Sequence, residues 1–368
     1  MKLIRLVALA AVLLVPPVAS AQDDGFAAFI ERGMELWHVP GAAAAVVTDE
    51  AVVFRQGFGT TSIQDGRPVD EHTAFAIAST TKAMVATGVL MLVDQGKLSL
   101  EDPITRHIPE LHFSDPFMDK EITVRDLLSH RTGLPSTDSW SFMLDMPLDE
   151  QIMRLRYVKR VAGIRAAKIY QNTMYDLLGR LIRNLDGREW DVFLREELWG
   201  PIGMQETWPA RGDIPEETSH VMPHFFRDGE VQRTPWDLPA EDRMPAGSVW
   251  STIHDMSLWA QYLLRGGITE GGVRLVSQEQ YEQMFEPTQL ATVPAFYPTV
   301  ELTQPHWRTY GLAWYQQDFQ GRMVDFHTGS LAGLVAIIGL YREAKRAVLM
   351  LANRDHAEFR HAWLWHVM

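Results

Sequence analysis

Cysteine is absent from the 368 residues. That removes a disulfide framework, a thiolate metal site, a cysteine nucleophile and a lipid-modified N-terminal cysteine from consideration. Positive charge is scarce as well, with 34 Lys and Arg against 47 Asp and Glu, a balance that disfavours nucleic acid and anionic membrane surfaces as partners. Long apolar runs are missing. The longest, Leu6–Val15 and Ala83–Val93, fall well short of the about 20 residues that a membrane-spanning helix requires. No segment repeats with a period of about 20 to 50 residues, and no low-complexity tract interrupts the chain.

Several catalytic signatures are missing too. Gly57-Phe58-Gly59 lacks the third glycine and the following helix of a phosphate-binding loop. A glycine–x–serine–x–glycine elbow is not found, because Gly329-Ser330-Leu331-Ala332-Gly333 has its serine misplaced. The histidines His356, His361 and His366 form no histidine–glutamate–x–x–histidine pattern. Neither a metal nor any other cofactor is therefore expected.

The first residues do carry a pattern. Lys2 and Arg5 precede the apolar Leu6–Val15, and Ala19-Ser20-Ala21 supplies small residues suited to cleavage, the layout of an export signal over residues 1–21. Its removal would leave the mature chain two charges more negative than the formal −13. The expectation is a soluble periplasmic or secreted protein with no stable membrane span after cleavage. Its size and 46% apolar content allow a large core without disulfides.

Element types organise the rest. After a short helix near Phe26 to Trp37, Ala42–Val47 and Ala51–Arg55 flank Thr48-Asp49-Glu50 as a hairpin. Near the other end, Gly333–Tyr341 and Ala347–Ala352 flank the charged Arg342–Arg346. Tyr310–Gln316 and Met323–His327 alternate enough to be further strands. Helical periodicity dominates between them, over Ser79–Gln95, Val124–Ser129, Met174–Asn184, Trp190–Leu198 and Ile253–Leu264. Strands at both ends with helices between predict an α+β (α/β sandwich) fold: an antiparallel sheet closed by the two ends, with an inserted mainly helical region. Residues 22–80 and 300–368 would carry the sheet and 81–299 the helices, with the active site at their interface.

Three short motifs bear on chemistry. Ser79-Thr80-Thr81-Lys82 opens the strongest helical run, and residues three apart share a helix face, so Ser79 and Lys82 would adjoin. A serine hydroxyl is a weak nucleophile until a neighbour takes its proton, which a lysine can do only if its charge is destabilised. The apolar Ala83–Leu90 that follows would place Lys82 in protein rather than water. The helix start offers free N–H groups to a developing oxyanion. A helix-capping serine and a surface lysine would look the same in isolation. Tyr170-Gln171-Asn172 precedes an amphipathic helix; cationic neighbours would make the Tyr170 phenol a better proton carrier, and Asn172 could orient a substrate carbonyl or Lys82. His327-Thr328-Gly329-Ser330 ends a strand, where Gly329 permits close backbone approach. The N–H of Ser330 could join that of Ser79 as an oxyanion donor, and Thr328 could hydrogen-bond a substrate carboxylate or carbonyl. Phe296, Tyr297 and Trp307 suit an apolar cleft wall or ordinary core equally well.

In this order and spacing the three motifs resemble the serine beta-lactamase and penicillin-binding-protein-like family, in its class C beta-lactamase, D-alanyl-D-alanine carboxypeptidase and esterase branch. Val39-Pro40-Gly41, Leu127–Pro135 and Pro245-Ala246-Gly247-Ser248 resemble it too. The resemblance implies a five-stranded antiparallel sheet flanked by helices. It also implies an acyl-enzyme on Ser79, proton transfer by Lys82 and Tyr170, and substrate binding by Asn172, His327, Thr328, Gly329 and Ser330. The chain departs from class C enzymes at His327, where lysine is common: an imidazole attracts a substrate carboxylate more weakly than an ammonium does. An exported ester or amide hydrolase acting on a small-molecule or peptide acyl substrate is thus the expected function, as a carboxylesterase, peptidase or D-alanyl-D-alanine carboxypeptidase-like enzyme. A true beta-lactamase, an acyltransferase and a weakly catalytic penicillin-binding sensor are the alternatives.

Overall fold

The computed structural model describes residues 21–64, 66–142, 144, 146–235, 242–291 and 303–368. The expected export segment lies outside the described residues except for Ala21, and so do Phe296 and Tyr297.

The strands, in chain order, begin with β1 (Gly41–Thr48), β2 (Val52–Gly59) and β3 (Phe75–Ala76). The middle of the chain adds β4 (Thr207–Trp208), β5 (His224–Arg227), β6 (Glu230–Arg233), β7 (Trp250–Ser251) and β8 (Gln289–Leu290). The last group is β9 (Arg308–Tyr310), β10 (Tyr315–Phe319), β11 (Arg322–Leu331), β12 (Leu334–Tyr341) and β13 (Arg346–Ala352). The helices that matter to the site are α1 (Ala21–Leu36), α2 (Thr81–Asp94), α3 (Val124–Leu128), α4 (Asn172–Asp186), α5 (Ile253–Leu264) and α6 (Phe359–Val367).

The main sheet is antiparallel and runs in the order β2-β1-β13-β12-β11-β10-β9-β8. It has eight strands where the resemblance implied five. Relative to the six strand runs read from the sequence, the two additions have a clear origin. Tyr310–Gln316, expected as one strand, is two: the chain reverses through the fully buried Gly311–Trp314, so β9 and β10 pair with each other and β8 adds to the edge. Leu312, Ala313 and Trp314 reach the core from this turn, and a buried turn reads in sequence much like a buried strand. The β8 segment also lies before residue 300, so the edge of the sheet does not coincide with the expected start of its second portion.

Both faces of the sheet are covered, and period-two alternation sorts its side chains between them. Ala43, Ala45, Ala336, Ile338, Leu340, Leu349 and Leu351 face the large inner core with α2, α4 and α5. Ala44, Val46, Val335, Ile337, Val348 and Met350 face an outer core with Phe26 and Ile30 of α1 and Phe359, Trp363 and Leu364 of α6. Each fully buried aliphatic side chain of this kind stabilises by about 1.5–3 kcal/mol. Helix α5 crosses the inner face near β1, where Gln261 Nε2 donates to the Thr48 carbonyl at 3.1 Å. Helix α2 is buried on nearly every side, as befits an apolar helix with no polar stripe. A separate three-stranded sheet, β3-β7-β4, feeds the chain into the start of α2. Among the described residues no helix is long and apolar enough to cross a membrane.

Candidate active site

Ser79 sits in the tight turn Ala78–Thr80 between β3 and α2. Ile77 N–H donates to the Val249 carbonyl at 2.9 Å, and Thr80 Oγ1 to the Ile77 carbonyl at 2.7 Å. The turn forces Ala78 to φ +48°, a left-handed conformation costly for a residue with a Cβ. Two glycines crowd the Ser79 amide. A Cβ on Gly329 of β11 would collide with the Ile77 carbonyl and stand 3.1 Å from Ser79 N, and one on Gly247 would stand 3.3 Å from it. Only glycine lets both segments approach so closely.

Lys82, one helical turn on, is fully buried. Its three protons have three acceptors: Ser79 Oγ at 3.0 Å, Asn172 Oδ1 at 2.7 Å and the Ala246 carbonyl at 2.5 Å. Burial pushes the ammonium down to about 7 from its ordinary 10.5, against the opposing pull of Asp176 and Asp138. Asp176, buried on α4 and accepting from Ala246 N–H at 3.2 Å, is raised above the usual carboxylate range by the same loss of solvent. An amine poised near neutrality can take a proton from Ser79 and return it.

Asn172 opens α4 with its amide fixed in direction. Asp138 accepts from the Asn172 backbone N–H at 2.8 Å and from Nδ2 at 2.9 Å, which turns Oδ1 toward Lys82. The Tyr170 ring lies 5.0 Å from Lys82 Nζ, so one ammonium touches both the serine hydroxyl and the phenol's ring. The loop carrying Tyr170 is stitched to the turn after α3: Arg165 N–H donates to the Arg131 carbonyl at 2.8 Å, Ile169 N–H to the His130 carbonyl at 2.8 Å, and Gln171 N–H to His130 Nδ1 at 3.2 Å. Beneath both segments, the buried Asp126 caps α3 and accepts from Arg131 Nε at 2.6 Å and Arg165 Nη2 at 2.9 Å.

On the opposite side, β11 brings His327, Thr328, Gly329 and Ser330 past Ser79. His327 is buried, and its Nδ1–H donates to the Thr328 carbonyl at 2.8 Å, leaving Nε2 to accept from Tyr310 Oη at 3.1 Å. Burial and the nearby Lys82 charge push it down to about 3, so the imidazole is neutral. Thr328 is also buried, and Ser330 is exposed. Arg360 of α6, itself buried, donates to the Gly329 carbonyl at 2.7 Å and to Ser330 Oγ at 3.2 Å, bracing the strand end.

Sequence reasoning missed Asp138, Asp176, His130, Tyr310, Arg360 and Lys168. The last had a signal: Lys168 stands two residues before Tyr170, and in an extended segment such residues share a side. For metal, the described residues offer one group with ligand atoms within 4.8 Å of one another, His72, Glu206 and His254. His72 lies in the turn before β3, Glu206 directly precedes β4, and His254 is in the first turn of α5.

Comparison with known proteins gives a family. The Beta-lactamase family model matches residues 26–367. The Unguisins hydrolase ungD' of Aspergillus campestris is 27% identical over 356 residues, covering 91% of this chain and 62% of that protein. Penicillin-binding protein 4 of Amycolatopsis lactamdurans is 29% identical over 251 residues, covering 65% of this chain and 63% of that one. This chain thus spans somewhat under two thirds of the length of these curated relatives. The octameric penicillin-binding protein homologue from Pyrococcus abyssi superposes with a TM-score of 0.80 at 22% identity, over 94% of this chain and 76% of that one, a likeness of fold.

Proposed function

Since the chain belongs to the Beta-lactamase family, whose members are serine hydrolases, we propose that it hydrolyses ester or amide acyl donors through an acyl-enzyme on Ser79. The observation that carries this reading is the buried Lys82 ammonium at 3.0 Å from Ser79 Oγ. In its neutral form Lys82 accepts the Ser79 proton as Oγ attacks the carbonyl carbon. The carbonyl oxygen, now negative, rests on the N–H groups of Ser79 and Ser330. Tyr170, against the same ammonium, passes a proton to the departing alcohol or amine. Water then attacks the acyl-enzyme, and the same two groups run the proton transfers in reverse, freeing the acid and Ser79. Asn172, pinned by Asp138, holds Lys82 and the substrate carbonyl in line.

The neutral His327 by itself supplies no charge to hold a carboxylate from β11, which favours ester and amide carbonyls over a beta-lactamase specialised at that strand. Export belongs to the same proposal and rests on the composition of residues 1–21.

Intact-mass measurement after exposure to a p-nitrophenyl ester, a penicillin and a D-alanyl-D-alanine peptide tests the reading. An adduct mapped to Ser79, lost in Ser79→Ala together with turnover, is the expected result. Undiminished hydrolysis of all three by purified Ser79→Ala would remove the nucleophile assignment.

A further inference from the structure

Lys168 is a second lysine at the site, with a role that the acyl-transfer steps do not use. Its Nζ donates to Tyr315 Oη at 2.8 Å and lies 5.0, 4.8 and 4.4 Å from the ring centres of Tyr170, Tyr310 and Tyr315. An ammonium has three protons to place, and only one has a hydrogen-bond acceptor here among the described residues. No carboxylate among the described residues lies within ion-pair distance of it. The contrast with its surroundings is sharp: Arg131 and Arg165, on the two segments that frame the loop, share the Asp126 carboxylate. Aromatic faces attract a cation but do not replace a counter-ion for one withdrawn from water. Burial accordingly pushes Lys168 down to about 7.

Lys168 is not sealed from solvent. Lys168, Tyr170, Tyr315, Asn172 and Ser79 each remain half-buried, whereas Lys82, His130, Tyr310 and His327 beneath them are buried. Lys168 and Lys82 stand equally far, 5.0 Å, from the centre of the Tyr170 ring. The two ammoniums are thus separated by no more than twice that distance, and Lys82 touches the nucleophile. His327, buried beneath them, is neutral and has both ring nitrogens engaged.

We infer that Lys168 and the tyrosines around it form a carboxylate-binding subsite, so that the acyl donors this site selects carry a free carboxylate near the scissile carbonyl. The inference rests on the Ser79 acyl-enzyme reading. An incoming carboxylate supplies the missing acceptor for the two open N–H groups, restores full charge to the lysine, and holds the carbonyl over Ser79. Beta-lactams, which bear such a carboxylate, are then one member of a wider anionic class rather than the defining substrate.

Two matched substrate pairs test it. Mono-p-nitrophenyl adipate is compared with its methyl diester, which places the carboxylate on the acyl side, and 4-carboxyphenyl hexanoate with its methyl ester, which places it on the leaving side. Wild-type protein is expected to prefer the acid in at least one pair. Lys168→Met should lower that acid-to-ester ratio of kcat/KM at least tenfold, mainly through KM, and Lys168→Arg should retain most of it. Thermal unfolding of each variant establishes that it is folded. A preference unchanged within twofold in folded Lys168→Met, or wild-type preference for the neutral member of both pairs, would overturn the subsite. Absence of wild-type turnover and of a Ser79 adduct with all four esters would instead overturn the acyl-enzyme reading, and the subsite with it.

Discussion

Replacing Lys82 by methionine should separate activity from stability. The side chain keeps its length and loses its charge. Catalysis loses its proton acceptor, and removal of one member of such a unit costs about 10³-fold or more in kcat/KM. Stability should respond differently. In the folded protein the ammonium makes three hydrogen bonds, worth about 1.5–3 kcal/mol each as charged-donor bonds, yet its pKa still falls from 10.5 to about 7. Desolvation therefore exceeds what those bonds and the Asp176 charge return by a few kcal/mol. Methionine removes that deficit but leaves Asn172 Oδ1 and the Ala246 carbonyl without a donor, a loss of about 1 kcal/mol or more each. Asp176 also loses the charge that faces it, so at neutral pH these opposing contributions largely cancel and the pH dependence is the readout. The sign of its pH dependence follows from linkage. Between the folded value of about 7 and the unfolded 10.5, the unfolded wild type holds a proton that the folded state lacks, so wild-type stability rises with pH in that window. The stability of Lys82→Met relative to wild type should therefore fall by a few kcal/mol between about pH 7 and pH 10. Paired calorimetry at pH 6, 8 and 10 checks this. A variant that is less stable at every pH by a constant amount, or that retains over about a tenth of wild-type turnover, would refute the account of Lys82 as a buried, charge-strained base.

Two further outcomes follow. Acylation by a neutral ester should accelerate as pH rises through about 7, where Lys82 loses its proton, and single-turnover measurement of p-nitrophenol release reads that limb directly; a rate that falls across this range would contradict the assignment. Gly329→Ala should cut kcat about 10²-fold by pushing β11 off the Ser79 amide. Far-UV circular dichroism should stay unchanged in that variant, and undiminished turnover would show that the close approach is dispensable.

The chemistry written locally was legible in the sequence, and the chemistry written by tertiary contact was not. Ser79 and Lys82 lie three residues apart across the tight turn that leads into α2, so their spacing alone predicts that they adjoin, and they do at 3.0 Å. The hairpins β1–β2 and β12–β13 appear where apolar runs flank polar turns. Asp138 and Arg360 have no comparable mark, because an acidic residue in a loop and an arginine near the chain's end become informative only when folding sets them against Asn172 and Gly329. The neutrality of His327 depends on its burial and on the Lys82 charge that folding brings near it. The split of Tyr310–Gln316 into two strands went unread because burial of Leu312–Trp314 hides the turn.

Asp126 has a bearing on how this protein can be re-engineered. One carboxylate anchors both the turn that supports Tyr170 from below and the loop that carries Tyr170 and Lys168. Grafting residues 163–171 from a relative with another substrate would import new side chains but not their placement, unless Arg165 and its anchor travelled with them. Selectivity and scaffold are inherited together in this region, and a library that varies the loop while holding Asp126, Arg131 and Arg165 constant should yield far more active members than one that does not.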